Sequence, residues 1–138
     1  MNTTSQSAKT IDRQWHLIDI KGQTLGRAST QIAQLLIGKN KATYTPNIDN
    51  GDYVVVINSD DLTVTGQKLS DKIYYRHSGF RNGLRQETLG ELMERDSRKA
   101  VERAVKGMLP KNKLQDVRLA RLKVFKNATH PYFKHFSK

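Results

Sequence analysis

Gly51-Asp52-Tyr53-Val54-Val55-Val56-Ile57-Asn58 is the stretch whose reading decides the fold. Tyr53 to Ile57 are apolar without interruption, so both faces of an extended segment would be apolar, because successive side chains of a strand point to opposite sides. A half-exposed strand would alternate. β-branched residues lose little freedom in a pleat, and the run is too short for a buried helix, so it reads as a strand covered on both faces. Such a strand belongs inside a layered α/β domain. A central strand of an antiparallel sandwich would need many short strands around it, and the flanking sequence carries helical periods instead.

Upstream, Trp15-His16-Leu17-Ile18-Asp19-Ile20 is a mostly apolar strand broken by Lys21-Gly22. Thr24 stands where a helix cap belongs, and Leu25, Ala28, Ile32, Leu35 and Leu36 recur at spacings of three and four before Gly38. Strand, helix and the Tyr53 strand compose a βαβ unit with parallel strands and a right-handed crossover. Downstream, Asp60-Asp61-Leu62-Thr63-Val64-Thr65-Gly66 turns and then alternates, and Lys72-Ile73-Tyr74-Tyr75-Arg76-His77-Ser78 is a second strand candidate; either could be the next member of the main sheet. Arg81-Asn82-Gly83-Leu84-Arg85 reads as loop. Thr88-Leu89-Gly90-Glu91 fits a capping box opening a short helix with Leu89, Leu92 and Met93 inward. From Asp96 or Ser97 a further helix repeats Ala100/Val101, Ala104/Val105 and Met108/Leu109, and Pro110 stops it. Asn112 can cap a third short helix through Leu114, Val117 and Ala120, and Leu122-Lys123-Val124-Phe125 reads as the last strand. The expected organisation is a flexible tail at 1–13, one α/β domain at 14–125 and a basic, aromatic tail at 126–138. Both tails offer little apolar burial and should exchange amide protons rapidly.

Charge points to the partner. The 138 residues carry a net charge of +11, with 36% hydrophobic residues and no cysteine, which excludes disulfides and thiolate metal sites. Met1 to Thr10 lacks the apolar core of a secretory signal, and no stretch suits a spanning helix, so the chain is expected to stay in the compartment where it is made. Residues 1–61 hold six Lys/Arg and six acids, so the excess lies beyond them. Residues 97–138 hold twelve Lys/Arg against Glu102 and Asp116 alone, a net of +10. Such a segment repels itself unless a polyanion neutralises it, and release of counterions from phosphate is the usual source of that affinity.

Specific chemistry other than this is absent from the sequence. The turn Lys21-Gly22-Gln23-Thr24-Leu25-Gly26-Arg27 has too few glycines, wrongly spaced, for a dinucleotide fingerprint or a P-loop. His77, His130 and His135 sit in basic surroundings that attract no dication, and His16 stands apart from them. No Ser/His/acid set can be assembled. No catalytic residue, metal or cofactor is expected. Tyr74, Tyr75, Arg76, His77 and Arg81 combine stacking surfaces with phosphate donors, one tyrosine facing inward. Lys106, Lys111, Asn112 and Lys113 surround a helix stop. Lys39, Lys41 and Tyr44 follow the end of the first helix, where the lysines either grip phosphate or partner the helix dipole. The residues expected to contact RNA are Lys39, Lys41, Tyr44, Arg76, His77, Arg81, Lys106, Lys111, Asn112 and Lys113, together with Lys68, Lys72, Arg85, Arg103, Arg118, Arg121, Lys123 and His130.

Five ordered motifs also carry a resemblance. They are Gly22-Gln23-Thr24-Leu25-Gly26-Arg27; Gly38-Lys39-Asn40-Lys41 with Tyr44-Thr45-Pro46; Gly51 to Asn58; Tyr74-Tyr75-Arg76-His77-Ser78-Gly79; and Ala104-Val105-Lys106-Gly107-Met108-Leu109-Pro110-Lys111-Asn112. From about Trp15 to Pro131 the chain resembles the thirteenth large-subunit ribosomal protein family in its bacterial and organellar form. The resemblance implies a three-layer α/β/α fold with a mostly parallel four-stranded sheet, order 3-2-1-4, and a basic C-terminal extension. It implies binding of large-subunit ribosomal RNA beside neighbouring large-subunit proteins, a role in early assembly, and no catalysis. The expected place is the cytoplasm, in ribosomes, or an organellar ribosome, with no membrane, no small-molecule substrate and no homo-oligomer. Arg81-Asn82-Gly83 replaces the family's Pro-Gly-Gly, Leu114-Gln115 its Leu-Gly, and Thr129-His130-Pro131-Tyr132 its Glu-His-Pro-His ending. A free-standing RNA-binding regulator and a small nucleotide-dependent enzyme using the sheet's crevice remain as other readings.

Overall fold

The computed structural model describes residue 7 and residues 10–136. The apolar run forms strand β2 (Tyr53–Ile57), and Val54, Val55 and Val56 are fully buried. Strand β1 (Trp15–Asp19) lies parallel on one side of it, in register from Trp15 opposite Tyr53 to Asp19 opposite Ile57. On the other side β5 (Leu122–Val124) is also parallel. The βαβ unit is completed by helix α1 (Leu25–Ile37), which ends at Gly38 in the left-handed region, φ 81°.

The entry to β2 explains the glycine of the opening stretch. A Cβ on Gly51 would sit 1.7 Å from the Leu36 carbonyl oxygen, so only glycine lets the chain pass the end of α1 this closely. The Asp52 N–H then donates to the Leu35 carbonyl at 3.1 Å, satisfying one of the acceptors a helix end leaves free.

Strand alternation divides the sheet into two faces. Ile20, Val54, Val56, Leu122 and Val124 join the core with Ile32 and Leu36 of α1 and with Leu92, Val101 and Val105 of α3 (Leu89–Met108). The opposite face carries Trp15, Tyr53 and Val55. Here the Trp15 ring stacks on Tyr53 at 4.4 Å between centroids, on His135 at 4.0 Å and on Tyr132 at 5.3 Å. Rings of the C-terminal segment therefore lie against the second face, and His130 is buried among them, stacked on Phe133 at 4.1 Å. Little apolar burial was the expectation for this segment. Aromatic faces without a helical period supply it instead.

Three strands, order β1-β2-β5, make the parallel sheet among the described residues, so the four-stranded 3-2-1-4 order is not seen there; α1 and α3 share the core on one face of the sheet, so a helix layer on each face is not seen either. Of the two candidates for a further strand, residues 60–66 contribute one isolated parallel bridge, Thr63 to Thr24. The other is strand β3 (Ile73–His77), which pairs antiparallel with β4 (Leu84–Thr88) in a separate hairpin. Leu84 and Arg85, expected in a loop, are thus the start of β4. A tight turn replaces that loop: Asn82 adopts φ 59°, Ser78 N–H donates to Gly83 O at 3.2 Å, and Gly83 N–H donates to Phe80 O at 3.0 Å.

The capping box is present as read. Thr88 Oγ1 accepts from Glu91 N–H at 3.2 Å, and a Glu91 carboxylate oxygen accepts from Thr88 N–H at 2.8 Å. Asp96 leaves helical geometry at φ −158°, ψ 93°, so α3 bends where the sequence separates two helices. A short helix α2 (Lys68–Asp71) precedes the hairpin, and α4 (Gln115–Ala120) precedes β5, its entry set by Asn112 Oδ1 accepting from Leu114 N–H at 3.1 Å.

Candidate nucleic-acid interface

Three adjoining grooves gather cations that are far apart in sequence. The first, a cleft of about 490 Å³, lies between the start of α1, α2 and the second half of α3. Arg27, Lys68, Lys72 and Arg103 line it, and no carboxylate does. Its apolar share comes from Leu25, Val64, Leu89 and Met108. Arg103 also lines a second groove of about 490 Å³ over the hairpin, with Arg76, Arg85, Arg95, Tyr74 and Tyr75. Thr30 and Met108 are shared with a third, of about 370 Å³, which reaches Lys39. Because each neighbouring pair shares lining residues, the three form one band from Lys39 to the hairpin.

Charge along the band is uneven. In the hairpin groove Glu87 takes a bond from Arg95 at 2.5 Å and lies 3.8 Å from Arg103. Arg103 also covers the Tyr74 ring at 4.7 Å, which holds Tyr74 half-buried as the inward tyrosine, while Tyr75 is exposed. Lys68 Nζ donates to Thr65 Oγ1 at 3.2 Å. Arg27 makes no hydrogen bond or ion pair among the described residues. It stands in the first turn of α1, where the helix dipole disfavours a cation and no acidic residue offsets it. The sequence reading missed Arg27, although a cation at this helix position was visible as an anomaly.

Other predicted contacts are distributed as follows. Arg76, His77, Arg81 and Arg85 are exposed on the hairpin, with Phe80 at its tip 79% exposed. His77 Nδ1 accepts from Gly79 N–H at 2.9 Å, so it orders the turn. Lys106, Lys111, Asn112 and Lys113 are exposed around the end of α3, and Lys123 is half-buried. Lys41 is committed to Asp52 at 2.5 Å and to the Asp12 carbonyl at 2.7 Å, and Tyr44 packs against the core. His130 is buried in the ring cluster.

The phosphate role expected for Arg118 and Arg121 does not fit their placement. Arg118 is 1% exposed and Arg121 5%, and both pair with Asp49, which Arg13 also reaches at 3.4 Å. Arg121 further donates to the Leu36 carbonyl at 3.2 Å and to the Asp52 carbonyl at 3.3 Å. Burial alone would raise the Asp49 pKa. The Arg121 hydrogen bond and the charges of Arg121, Arg13 and Arg118 outweigh it and hold the carboxyl below its usual range. These cations staple the C-terminal part of the fold to the loop before β2.

Comparison with known proteins decides the family. A family profile described as Ribosomal protein L13 matches residues 13–131. The chain belongs to the ribosomal protein L13 family. Among relatives named "Large ribosomal subunit protein uL13", that of Pelobacter propionicus is 46% identical over 132 residues, covering 96% of this chain and 93% of the relative. That of Synechococcus sp. strain WH7803 is 50% identical over 133 residues, with coverage of 96% and 89%. That of Azotobacter vinelandii is 48% identical over 132 residues, with coverage of 96% and 93%. L13 proteins are structural and not enzymes. In this L13 chain no helix is long and apolar enough to cross a membrane, and no cluster of three or more His, Cys, Asp or Glu could hold a metal among the described residues.

Proposed function

We propose that this chain is a structural constituent of the large ribosomal subunit that binds large-subunit ribosomal RNA along the groove band and supports early subunit assembly. The observation that carries the reading is the band itself: cations from four separate parts of the chain converge on connected concave surfaces, and the cleft between α1, α2 and α3 has no carboxylate in its lining. Such surfaces recognise RNA by backbone and shape rather than by a sequence code. Lys39, Lys68, Lys72, Arg76, Arg85 and Arg103 from the predicted set, with Arg27 added, form the band, and Arg81, Lys106, Lys111 and Lys113 extend its charge. Neighbouring ribosomal proteins are the remaining partners, with the chain as a single copy. The domain is taken as 14–125, with the rings of the segment that follows lying against the second face of its sheet.

Binding to large-subunit RNA, measured across salt concentrations, should show log affinity falling steeply with log salt, since each neutralised phosphate contributes a slope of roughly 0.7 to 0.9. A flat dependence overturns the interface. In a sucrose gradient the tagged chain should travel with large subunits; a free position favours an independent RNA-binding regulator.

A further inference from the structure

Two glycines in the walls of the first cleft have no internal reason to be there. Gly26 is in the first turn of α1 and Gly107 in the last turn of α3, and glycine weakens a helix relative to alanine. Neither has a positive φ, and an added Cβ at either would meet nothing within 4 Å. Gly51, by contrast, is demanded by the backbone it passes. A glycine that neither turns the chain nor relieves a contact leaves space for something that is not part of the chain.

The space has a definite chemistry. About 490 Å³ suits one small organic group, the four cations call for an anion, and the apolar wall of Val64 and Met108, with Leu25 and Leu89 buried behind it, calls for a flat or greasy body attached to it. Met108 is 42% exposed, so part of this wall is open to a ligand. A nucleotide has both parts, a phosphate and a base whose face packs on apolar and guanidinium surfaces. We propose that the cleft takes one unstacked nucleotide, the phosphate lying among Arg27, Lys68, Lys72 and Arg103 and the base against the apolar wall. The source is either a residue extruded from structured RNA or a free mononucleotide. The first source rests on the RNA-binding reading above; the second does not. The cleft opens at the start of α1, which follows the carboxyl end of β1, the side of a parallel sheet where ligands are commonly held, yet it needs no glycine-rich phosphate loop.

The test uses the full chain and three probes: adenosine 5′-monophosphate, an RNA hairpin with one bulged adenosine, and the same hairpin with an abasic residue at the bulge, which keeps the phosphate count. The bulged hairpin should bind about tenfold more tightly than the abasic one, the scale of a single stacked base. Gly26→Leu and Gly107→Leu place side chains in the cleft while improving helix propensity. Each should abolish the preference and leave the melting temperature unchanged or raised. Saturable binding of the mononucleotide, lost in both variants, assigns the cleft to free nucleotide whether or not the hairpins bind. Equal binding of the two hairpins with no mononucleotide binding overturns the proposal and leaves the RNA-binding reading standing. Failure of all three probes overturns the proposal, and the RNA-binding reading falls with it only if large-subunit RNA is not bound either. A preference that survives in both glycine variants overturns the assignment to this cleft.

Discussion

Asp49 gathers the guanidinium groups of Arg13, Arg118 and Arg121, and Nη2 of Arg118 is buried without a partner in the described structure. Two of these arginines are almost without solvent, so their charge depends on one carboxylate. Removing one partner of a buried ionic cluster leaves uncompensated charge, at a cost of about 3 to 5 kcal/mol. Asp49→Asn, nearly isosteric, is expected to lose stability on that scale in urea denaturation; a loss under about 1 kcal/mol would show the cluster to be incidental. The pH dependence follows from the depressed carboxyl. A folded-state pKa below the unfolded value of about 3.9 adds stability that is fully present above the unfolded value. It disappears as pH falls through the folded value. Asp52 behaves likewise: burial raises its pKa, but the Lys41 hydrogen bond, the Gln14 N–H and His16 bring the net shift below its usual value. Stability should therefore fall below about pH 4, and Asp49→Asn should flatten that decline.

Elements whose cause is local were legible in the sequence. The uniform apolar run gave β2, the three-and-four spacing gave α1, and Thr88 with Glu91 gave the start of α3, because each signal and its effect lie within a few residues. Thr88→Ala should cost about 1 kcal/mol through the lost cap. The hairpin was half legible, and its register shows why. β3 and β4 set Arg76 directly opposite Arg85, and like charges in facing positions oppose pairing. Leu84-Arg85-Gln86-Glu87-Thr88 also lacks an apolar face, so nothing in it signals a strand. The unfavourable pair becomes favourable once an anion lies over it. Arg76→Gln should thus raise the free protein's melting temperature slightly while lowering the magnitude of the RNA salt slope by roughly 0.7 to 0.9. An unchanged slope would remove the hairpin from the interface.

At the scale of the whole molecule, the charge counted along the chain is not the charge the surface presents. The last third holds most of the excess, yet Arg118 and Arg121 are internal and Arg98 is paired with Asp96 at 2.8 Å, while Arg27 from the neutral half joins the cleft. No segment count could show this, because packing of α1, α2 and α3 decides which cations meet. The same holds for the C-terminal segment, whose rings become a cover only once β1 presents Trp15. Removal of residues 126–138 should uncover Trp15, Tyr53 and the face of the sheet that includes Val55. Trp15 is the sole tryptophan, so its fluorescence reports this directly. The expected result is a red-shifted emission and a lower melting temperature, with the band from Lys39 to Arg85 still binding RNA, since none of its grooves is lined by the removed residues. Tyr132→Ala with His135→Ala should reproduce the spectral shift in the full-length chain, because both rings stack on Trp15. If emission stays unchanged in both proteins, the second face of the sheet is covered by something other than these rings. If RNA affinity collapses in the truncated chain with its fold intact, the tail belongs to the interface as well as to the core.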